Sequence, residues 1–463
     1  MEKISNYINL LFQKLFDQKE HPVYSDMVRV NQISKEYSNY KEKYIEKKIE
    51  YNPSLKLPKH LELNINSESD RFDMDAIKNL SEEMKKNNSF NKILELVNVL
   101  YNQYIPSNNI YEEDLKNNLR TFSKNNRINI AILGAGPVGL FLACYLHKYY
   151  NSQYGLNDQP RVGIVIFDNK IVNRGLRKPY TRKRNFAFSS SFFSYIIPKI
   201  YSWNNDDKQE MFINIYVLEY LLFTRAYYDY NIPFIFDEYT WEEYCDLFEV
   251  GDFKAVFDCT GGRLKPPIFK DLDTSWISKI LSRSKNPPFK LEIDTKMNLV
   301  KINLEKDKFI KNYYYINFNV FDLDTNNKLN LIDNFDFNIE NKSDLKLFIN
   351  IKRKFYSFDD LNTIFSKVNS HTIRNFLYNI IPKTYGKSNY IYQFDVFNTN
   401  IRHSISVSSV VNYNDHKFIY IGAGDSIFHG HFITGAGLNR TIGFAVKCAN
   451  FITNLSLKDK TSL

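Results

Sequence analysis

The sequence predicts an α/β protein in which a parallel-sheet domain is split by an inserted mixed or antiparallel β-sheet domain and preceded by a helical extension. Three observations predict it. An apolar run at 128–133 passes directly into Gly134-Ala135-Gly136-Pro137-Val138-Gly139 and then into an apolar helical stretch. Further apolar runs at 162–168, 255–262 and 417–425 end in acidic residues or glycine turns, as buried parallel strands do. From about residue 289 the pattern changes to apolar/polar alternation at 289–293, 299–304 and 313–321, separated by Asn/Asp-rich turns, which is strand period in a half-buried sheet.

Composition bounds the possibilities. The chain has 463 residues, enough for two or three domains, and 43% of them are hydrophobic, which supports packed cores rather than disorder. Aromatics are abundant, with 33 Tyr and 37 Phe. A net charge of +9 is compatible with phosphates, acidic proteins or nucleic acid and selects none of them. The four cysteines lie far apart with no C-x-x-C, so neither the usual zinc spacing nor a local redox dithiol is present, no metal site is expected, and a reducing compartment fits. The first residues are too broken by polar side chains for a secretory segment. No apolar run approaches the ~20 residues that a membrane span requires. An intracellular, cytoplasmic protein is expected.

Residues 1–125 read as mainly helical. Phe90, Ile93, Leu94, Val97, Leu100, Tyr101 and Tyr104 recur at helical spacing, with Ser89 as N-cap and Pro106 as stop. The charged, tyrosine-interleaved segment at 36–51 reads as a solvated helix with an aromatic packing face rather than a nucleic-acid surface. The region carries no chemical motif.

At the glycine turn each residue type has a physical purpose. Gly134 permits the tight turn, Gly136 allows backbone to approach a pyrophosphate, and Gly139 lets the following helix, expected over 137–149, lie close to the sheet. The helix start presents N–H groups and partial positive charge to phosphates. A second buried strand then ends in Asp168, the acid that a βαβ unit directs at an adenosine ribose. Asp168 comes later than the usual spacing, and the polar stretch at 151–161 accounts for the excess. The alternative is an acid that merely caps a strand end. A basic segment follows with Arg174, Arg177, Lys178, Arg182, Lys183 and Arg184, mostly solvated, at least one member being well placed to neutralise a diphosphate.

Residues 213–228 read as a helix, 232–236 as a strand, and 255–263 as a strand running into a glycine turn. Cys259 there reads as a small buried residue rather than a nucleophile, since no histidine is near it in sequence. The antiparallel sheet is expected to extend around 348–351, with helices at 357–381. The last block is a strand at 417–422, Gly424-Asp425, a loop, and Gly435-Ala436-Gly437-Leu438-Asn439-Arg440 opening an apolar helix.

The run Gly424-Asp425-Ser426-Ile427-Phe428 followed by Gly435-Ala436-Gly437-Leu438-Asn439-Arg440 resembles the C-terminal motif of the FAD-dependent aromatic-hydroxylase superfamily. Within it the chain looks most like the monooxygenase domain of MICAL-type proteins. The glycine turn at 134–140 matches that family's first motif except at Val138. The resemblance implies a Rossmann-like FAD-binding domain at 126–288 and 385–463, a substrate-binding β-sheet/helix domain at 289–384, and a helical N-terminal extension at 1–125. It further implies that Gly134, Ala135, Gly136, Pro137, Val138 and Gly139 hold the FAD pyrophosphate and Asp168 the ribose. Arg184 would approach the pyrophosphate or ribityl chain. Asp425 would accept from a ribityl hydroxyl, and Gly435, Ala436, Gly437 and Asn439 would line the isoalloxazine.

Three positions depart from the family. Tyr216 occupies the place of an arginine, Cys259-Thr260-Gly261-Gly262 replaces an Asp-Gly motif tied to NADPH use, and Ile433 stands where a proline touches the flavin. The implied activity is an oxidoreductase: a flavoprotein monooxygenase that uses NADPH or NADH and O2 on an organic or protein side-chain substrate. His429 and His431, between Asp425 and Gly435, are the candidate catalytic residues; structural or solvent-exposed histidines are the alternative. Two other functions stay open, another flavin oxidase or reductase and a flavin-binding interaction protein with little turnover. A membrane partner and nucleic acid are not expected.

Overall fold

The computed structural model describes residues 1–16, 82–84, 112–125, 128–151, 162–168, 185–189, 196, 210–235, 237, 239–264, 289–294, 298–304, 314–323, 329–339, 341–386, 390–398, 401–430 and 436–458. A six-stranded sheet organises the chain. It consists of β1 (Ile128–Leu133), β2 (Val162–Phe167), β5 (Phe234–Ile235), β6 (Phe253–Asp258), β14 (Ser408–Tyr413) and β15 (His416–Gly422), in the order β14-β15-β6-β1-β2-β5. All neighbours run parallel except the antiparallel β14–β15 pair.

Alternation along β1 shows why both faces must be covered. Ile128, Ile130 and Ile132 enter one core, with Phe141 and Leu142 of α3 (Pro137–Leu146), Leu218 and Leu221 of α4 (Ile215–Thr224), and Phe444 and Cys448 of α10 (Ala436–Lys458). Ala131 and Leu133 enter another, with Leu115 and Leu119 of α2 (Glu112–Asn125) and Tyr244 and Phe248 of α5 (Trp241–Val250). A strand that is apolar on both faces belongs inside a parallel sheet between helical layers. The N-terminal helix α1 (Glu2–Phe16) buries Ile8 and Phe12 in the first core and ties itself to β14, where Asn9 Oδ1 accepts the N–H groups of Val407 and Ser408 at 2.9 and 3.0 Å.

Two antiparallel sheets follow. One has the order β10-β9-β12-β11, with β9 (Tyr314–Leu323), β10 (Leu329–Asn338), β11 (Phe355–Tyr356) and β12 (Tyr390–Asn398). Its apolar face packs on α6 (Lys342–Ile351), α7 (Phe358–Phe365), α8 (His371–Asn375) and α9 (Ile381–Tyr385), enclosing Phe318, Phe348, Phe365, Ile381, Tyr392 and Phe394. The other has the order β16-β13-β8-β7, with β7 (Phe289–Asp294), β8 (Leu299–Leu304), β13 (Ile401–Ser404) and β16 (Phe428–His429). An antiparallel β3–β4 pair (Asn185–Ser189, Glu210–Asn214) completes the strands among the described residues.

Three sequence expectations require correction. The stretch at 348–351 is the end of helix α6, not a strand. Asn341 caps that helix through the N–H of Asp344 at 2.8 Å, and Asp344 and Phe348 are buried at i, i+4 spacing. Residues 213–214 belong to β4, and the helix begins only at Ile215; pairing with β3 decides a segment whose apolar content suits either state. The helix expected over 137–149 is α-helical only to Leu146 (α3) and continues as a π-helical turn at His147–Asn151, where the His147 ring stacks on Tyr230 at 4.6 Å. The expected helix around residues 90–104 and the segment at 36–51 lie outside the described residues.

Candidate functional site

The site lies at the carboxyl edge of the parallel sheet, where an open α/β sheet presents its loops to a ligand. There the backbone ladder extends one residue beyond each strand. Gly134 N–H donates to the Phe167 carbonyl at 2.7 Å, Cys259 N–H to Leu133 at 2.7 Å, and Ala423 N–H to Asp258 at 2.8 Å. The turns after β1, β6 and β15 are thereby aligned side by side.

Glycine is required at the points of contact. Gly134 has φ +98°, and a Cβ there would stand 2.8 Å from the Cys259 carbonyl oxygen. At Gly139 a Cβ would stand 2.0 Å from the Gly134 oxygen, so this glycine closes the turn on itself as much as it brings helix and sheet together. Gly424 has φ +65°, and its added Cβ would meet Val138 Cγ2 at 3.3 Å. The Gly424-Asp425 turn, a short 3-10 segment at Gly424–Ser426, therefore rests on the first turn of α3. Two motifs remote in sequence form one surface.

Gly136 behaves differently. It is the N-cap of α3 at φ −80°, ψ 179°, with Pro137 at the first helical position and no capping side chain. Among the described residues a Cβ there would meet only Glu219 Oε1, at 3.8 Å. The helix start is thus an open cradle of the kind that accepts phosphate oxygens. Asp168 is buried, and its Oδ2 accepts the Ala135 N–H, so this carboxylate braces the glycine turn from the end of β2. Glu219 of α4 is also buried, and it sets an acid beside the same cradle.

Sequence reasoning missed the polar centre of the site. Asp258, the last residue of β6, is buried and accepts four bonds. Oδ1 takes Thr260 N–H at 2.8 Å, Thr260 Oγ1 at 2.6 Å and Ser426 Oγ at 3.2 Å, and Oδ2 takes Tyr420 OH at 2.5 Å. Ser426 Oγ in turn accepts Gly262 N–H at 3.0 Å. One carboxylate so joins the β6 turn, the β15 strand and the Gly-Asp turn. Burial pushes the Asp258 carboxyl above its ordinary range, and the bonds from Thr260, Tyr420 and Ser426 oppose that shift. The available signals were the Asp-Cys-Thr-Gly run and a tyrosine two residues before the end of an apolar strand. Cys259 follows Asp258 half-buried, its thiol pushed well up by burial and by the neighbouring acid, which leaves it a protonated packing residue.

Gly134, Ala135, Gly136, Pro137, Val138, Gly139, Asp168 and Asp425 are brought to this edge. Asp425 is exposed, and its Cβ stands 3.8 Å from the position of a Cβ on Gly261. Gly437, in the first turn of α10, abuts Gly430, with its added Cβ 3.3 Å from the Gly430 nitrogen. His429 is half-buried on β16. Ala436 and Asn439 fall in the first turns of α10; Arg184, His431 and Gly435 lie outside the described residues. Among the described residues no cluster of three His, Cys, Asp or Glu side chains is arranged to hold a metal, and no helix is long and apolar enough to cross a membrane.

No family model matches the sequence, and no curated protein matches it. Among solved structures, the chain is similar to tetracycline destructase Tet(51), at TM-score 0.29 and 12% identity over 71% of this chain and 83% of that one. It is similar to p-nitrophenol 4-monooxygenase PnpA from Pseudomonas putida DLL-E4, at TM-score 0.30 and 8% identity over 72% and 80%. The same holds for CmlS, a flavin-dependent halogenase, at TM-score 0.31 and 9% identity over 71% and 57%.

Proposed function

We propose that the chain is an FAD-dependent oxidoreductase, a monooxygenase of the aromatic-hydroxylase type. The observation that carries this reading is the seating of the Gly424-Asp425 turn on the first turn of α3, so close that a Cβ on Gly424 would stand 3.3 Å from Val138 Cγ2. A nicotinamide enzyme needs only the first glycine turn. A second acidic turn beside it supplies what a longer ligand with a polyol chain requires. The residues fit FAD on two counts: an open cradle at Gly136 that a side chain would fill, and a helix start with no capping side chain to occupy its N–H groups.

In this reading the glycine turn holds the diphosphate, Asp168 braces it and faces the ribose, and Asp425 accepts from the ribityl chain. The start of α10 faces the flavin ring, where its partial positive charge favours the anionic reduced form. Bound FAD would supply the redox chemistry with O2; the chain's own residues orient it and exclude water. Arg184 and His431 belong to the same proposal, as do the domain division at 126–288 with 385–463 around 289–384 and the likeness to MICAL-type domains. His429, on the strand that abuts α10, is, with His431, a proposed catalytic histidine. NADPH or NADH is the proposed reductant, and a soluble, cytoplasmic enzyme acting on a small molecule or protein side chain is the proposed setting.

The test is anaerobic. The purified protein carries FAD, NADPH or NADH bleaches its absorbance, and O2 restores it with oxygen entering a substrate. A flavin that stays oxidised with both nicotinamides favours the alternative of a flavin-binding interaction protein, a reading that the altered Cys259-Thr260-Gly261-Gly262 turn also favours.

A further inference from the structure

We propose that Arg402, with His429 beside it, forms an oxyanion-binding subsite at the edge of the flavin site and receives the anionic group of the second ligand. That group is a phosphate of a dinucleotide reductant or a carboxylate of an organic substrate. The inference rests on the flavin reading above.

Register places the two side chains. Arg402 of β13 pairs directly with His429 of β16, so both stand on one face of the antiparallel pair. The adjacent pair, His403 and Phe428, takes the opposite face and is buried. On the first face Arg402 Nη2 donates to the Gly261 carbonyl at 3.3 Å and lies 3.7 Å from the position of a Cβ on Gly262. Both glycines adopt positive φ, +74° and +78°, and neither carries a side chain of its own between the turn and the guanidinium.

The electrostatics select an anion. A guanidinium carries five N–H donors, and the Gly261 carbonyl is a neutral acceptor. Among the described residues Arg402, half-buried, makes no ion pair. The first turn of α10 abuts β16 through Gly437 and Gly430 and adds the partial positive charge of a helix start. On the other side of β13 the register position opposite Arg402 is Lys301 of β8, with Glu292 of β7 beyond it. Two acids flank the turn: Asp258, which accepts from Thr260 and Ser426, and Asp425, whose Cβ stands 3.8 Å from the position of a Cβ on Gly261. Arginine suits this task because its planar fork meets a carboxylate or phosphate with two parallel bonds.

The experiment is calorimetric titration of the FAD-supplemented protein with two probes, sodium benzoate and NADP+, in the wild type, Arg402→Gln and Arg402→Lys. At least one probe is expected to bind the wild type. Arg402→Gln is expected to weaken it by about tenfold or more, with Arg402→Lys intermediate and FAD content unchanged. Loss confined to NADP+ assigns the subsite to the reductant; loss confined to benzoate assigns it to the substrate. Equal affinity in all three proteins overturns the proposal. So does a wild type that binds neither probe, or an Arg402→Gln protein that loses its FAD, since Arg402 then serves the flavin itself. A wild type that takes up no FAD sinks the parent reading instead, and the probe titrations still decide whether Arg402 receives an anion.

Discussion

Asp258→Ala is expected to destabilise the protein by about 3–5 kcal/mol, because it removes a buried acceptor shared by four donors. Tyr420 OH, Thr260 N–H and the Thr260 and Ser426 hydroxyls all lose their partner together. The β6 turn and the Gly-Asp turn are then no longer joined. Asp258→Asn is expected to recover more than half of the loss. Its amide oxygen can keep the Oδ1 bonds, while its NH2 faces Tyr420, whose hydroxyl can accept instead of donate. The upward shift of the Asp258 carboxyl points the same way, since burial already favours the uncharged form. Urea unfolding of the two variants gives the comparison. An alanine variant as stable as the wild type, or an asparagine variant as unstable as alanine, contradicts this account of the cluster.

Gly136→Val is expected to leave the fold intact and to weaken FAD binding on the order of a hundredfold, through lost backbone contacts to phosphate oxygens. The backbone at Gly136 is already extended, and among the described residues the nearest atom to an added Cβ is Glu219 Oε1 at 3.8 Å, so valine is accommodated there in the absence of ligand. It then fills the space the diphosphate would take. Gly139 provides the contrast. Even one methyl there lies 2.0 Å from the Gly134 oxygen, so substitution disrupts the turn itself. Thermal unfolding and FAD titration separate the two kinds of glycine; a Gly136→Val protein with wild-type FAD affinity removes the cradle from the site.

Much of the parallel sheet was legible because its signals are local. Continuous apolar strands, a glycine turn with strand before and helix after, and acids or glycines at strand ends can each be read within a dozen residues. Helix α6 was misread because Phe348 and Ile351 satisfy strand and helix patterns alike over four residues; the deciding features are Asn341 upstream and a buried Asp344 that accepts the N–H groups of Asn369 and Ser370, each at 2.8 Å. Strand β4 likewise depends on pairing with β3, which no local pattern encodes.

The candidate site divides in the same way. Gly134, Gly139 and Gly424 announce themselves because a positive φ or a close backbone approach demands that residue type, and Gly136 because it completes the G-x-G-x-x-G spacing. Asp258, Tyr420, Glu219 and Arg402 do not, because each owes its place to tertiary contact. Tyr420 reads as one more aromatic in an apolar strand until its hydroxyl is found on Asp258. Arg402 reads as a surface cation until β13 is laid between β8 and β16.

The central claim is that the Gly134 turn and the Gly424-Asp425 turn hold two halves of a single FAD. Parallel titrations of wild type and Asp425→Ala with FAD and with ADP test it most directly, because ADP reaches only the first turn. The account predicts one FAD per wild-type chain. It also predicts an Asp425→Ala protein that binds ADP as the wild type does but binds FAD about tenfold more weakly, the loss of one charge-assisted bond to the ribityl chain. Equal affinities of the variant and wild type for FAD, or an equal loss for FAD and ADP, would contradict it.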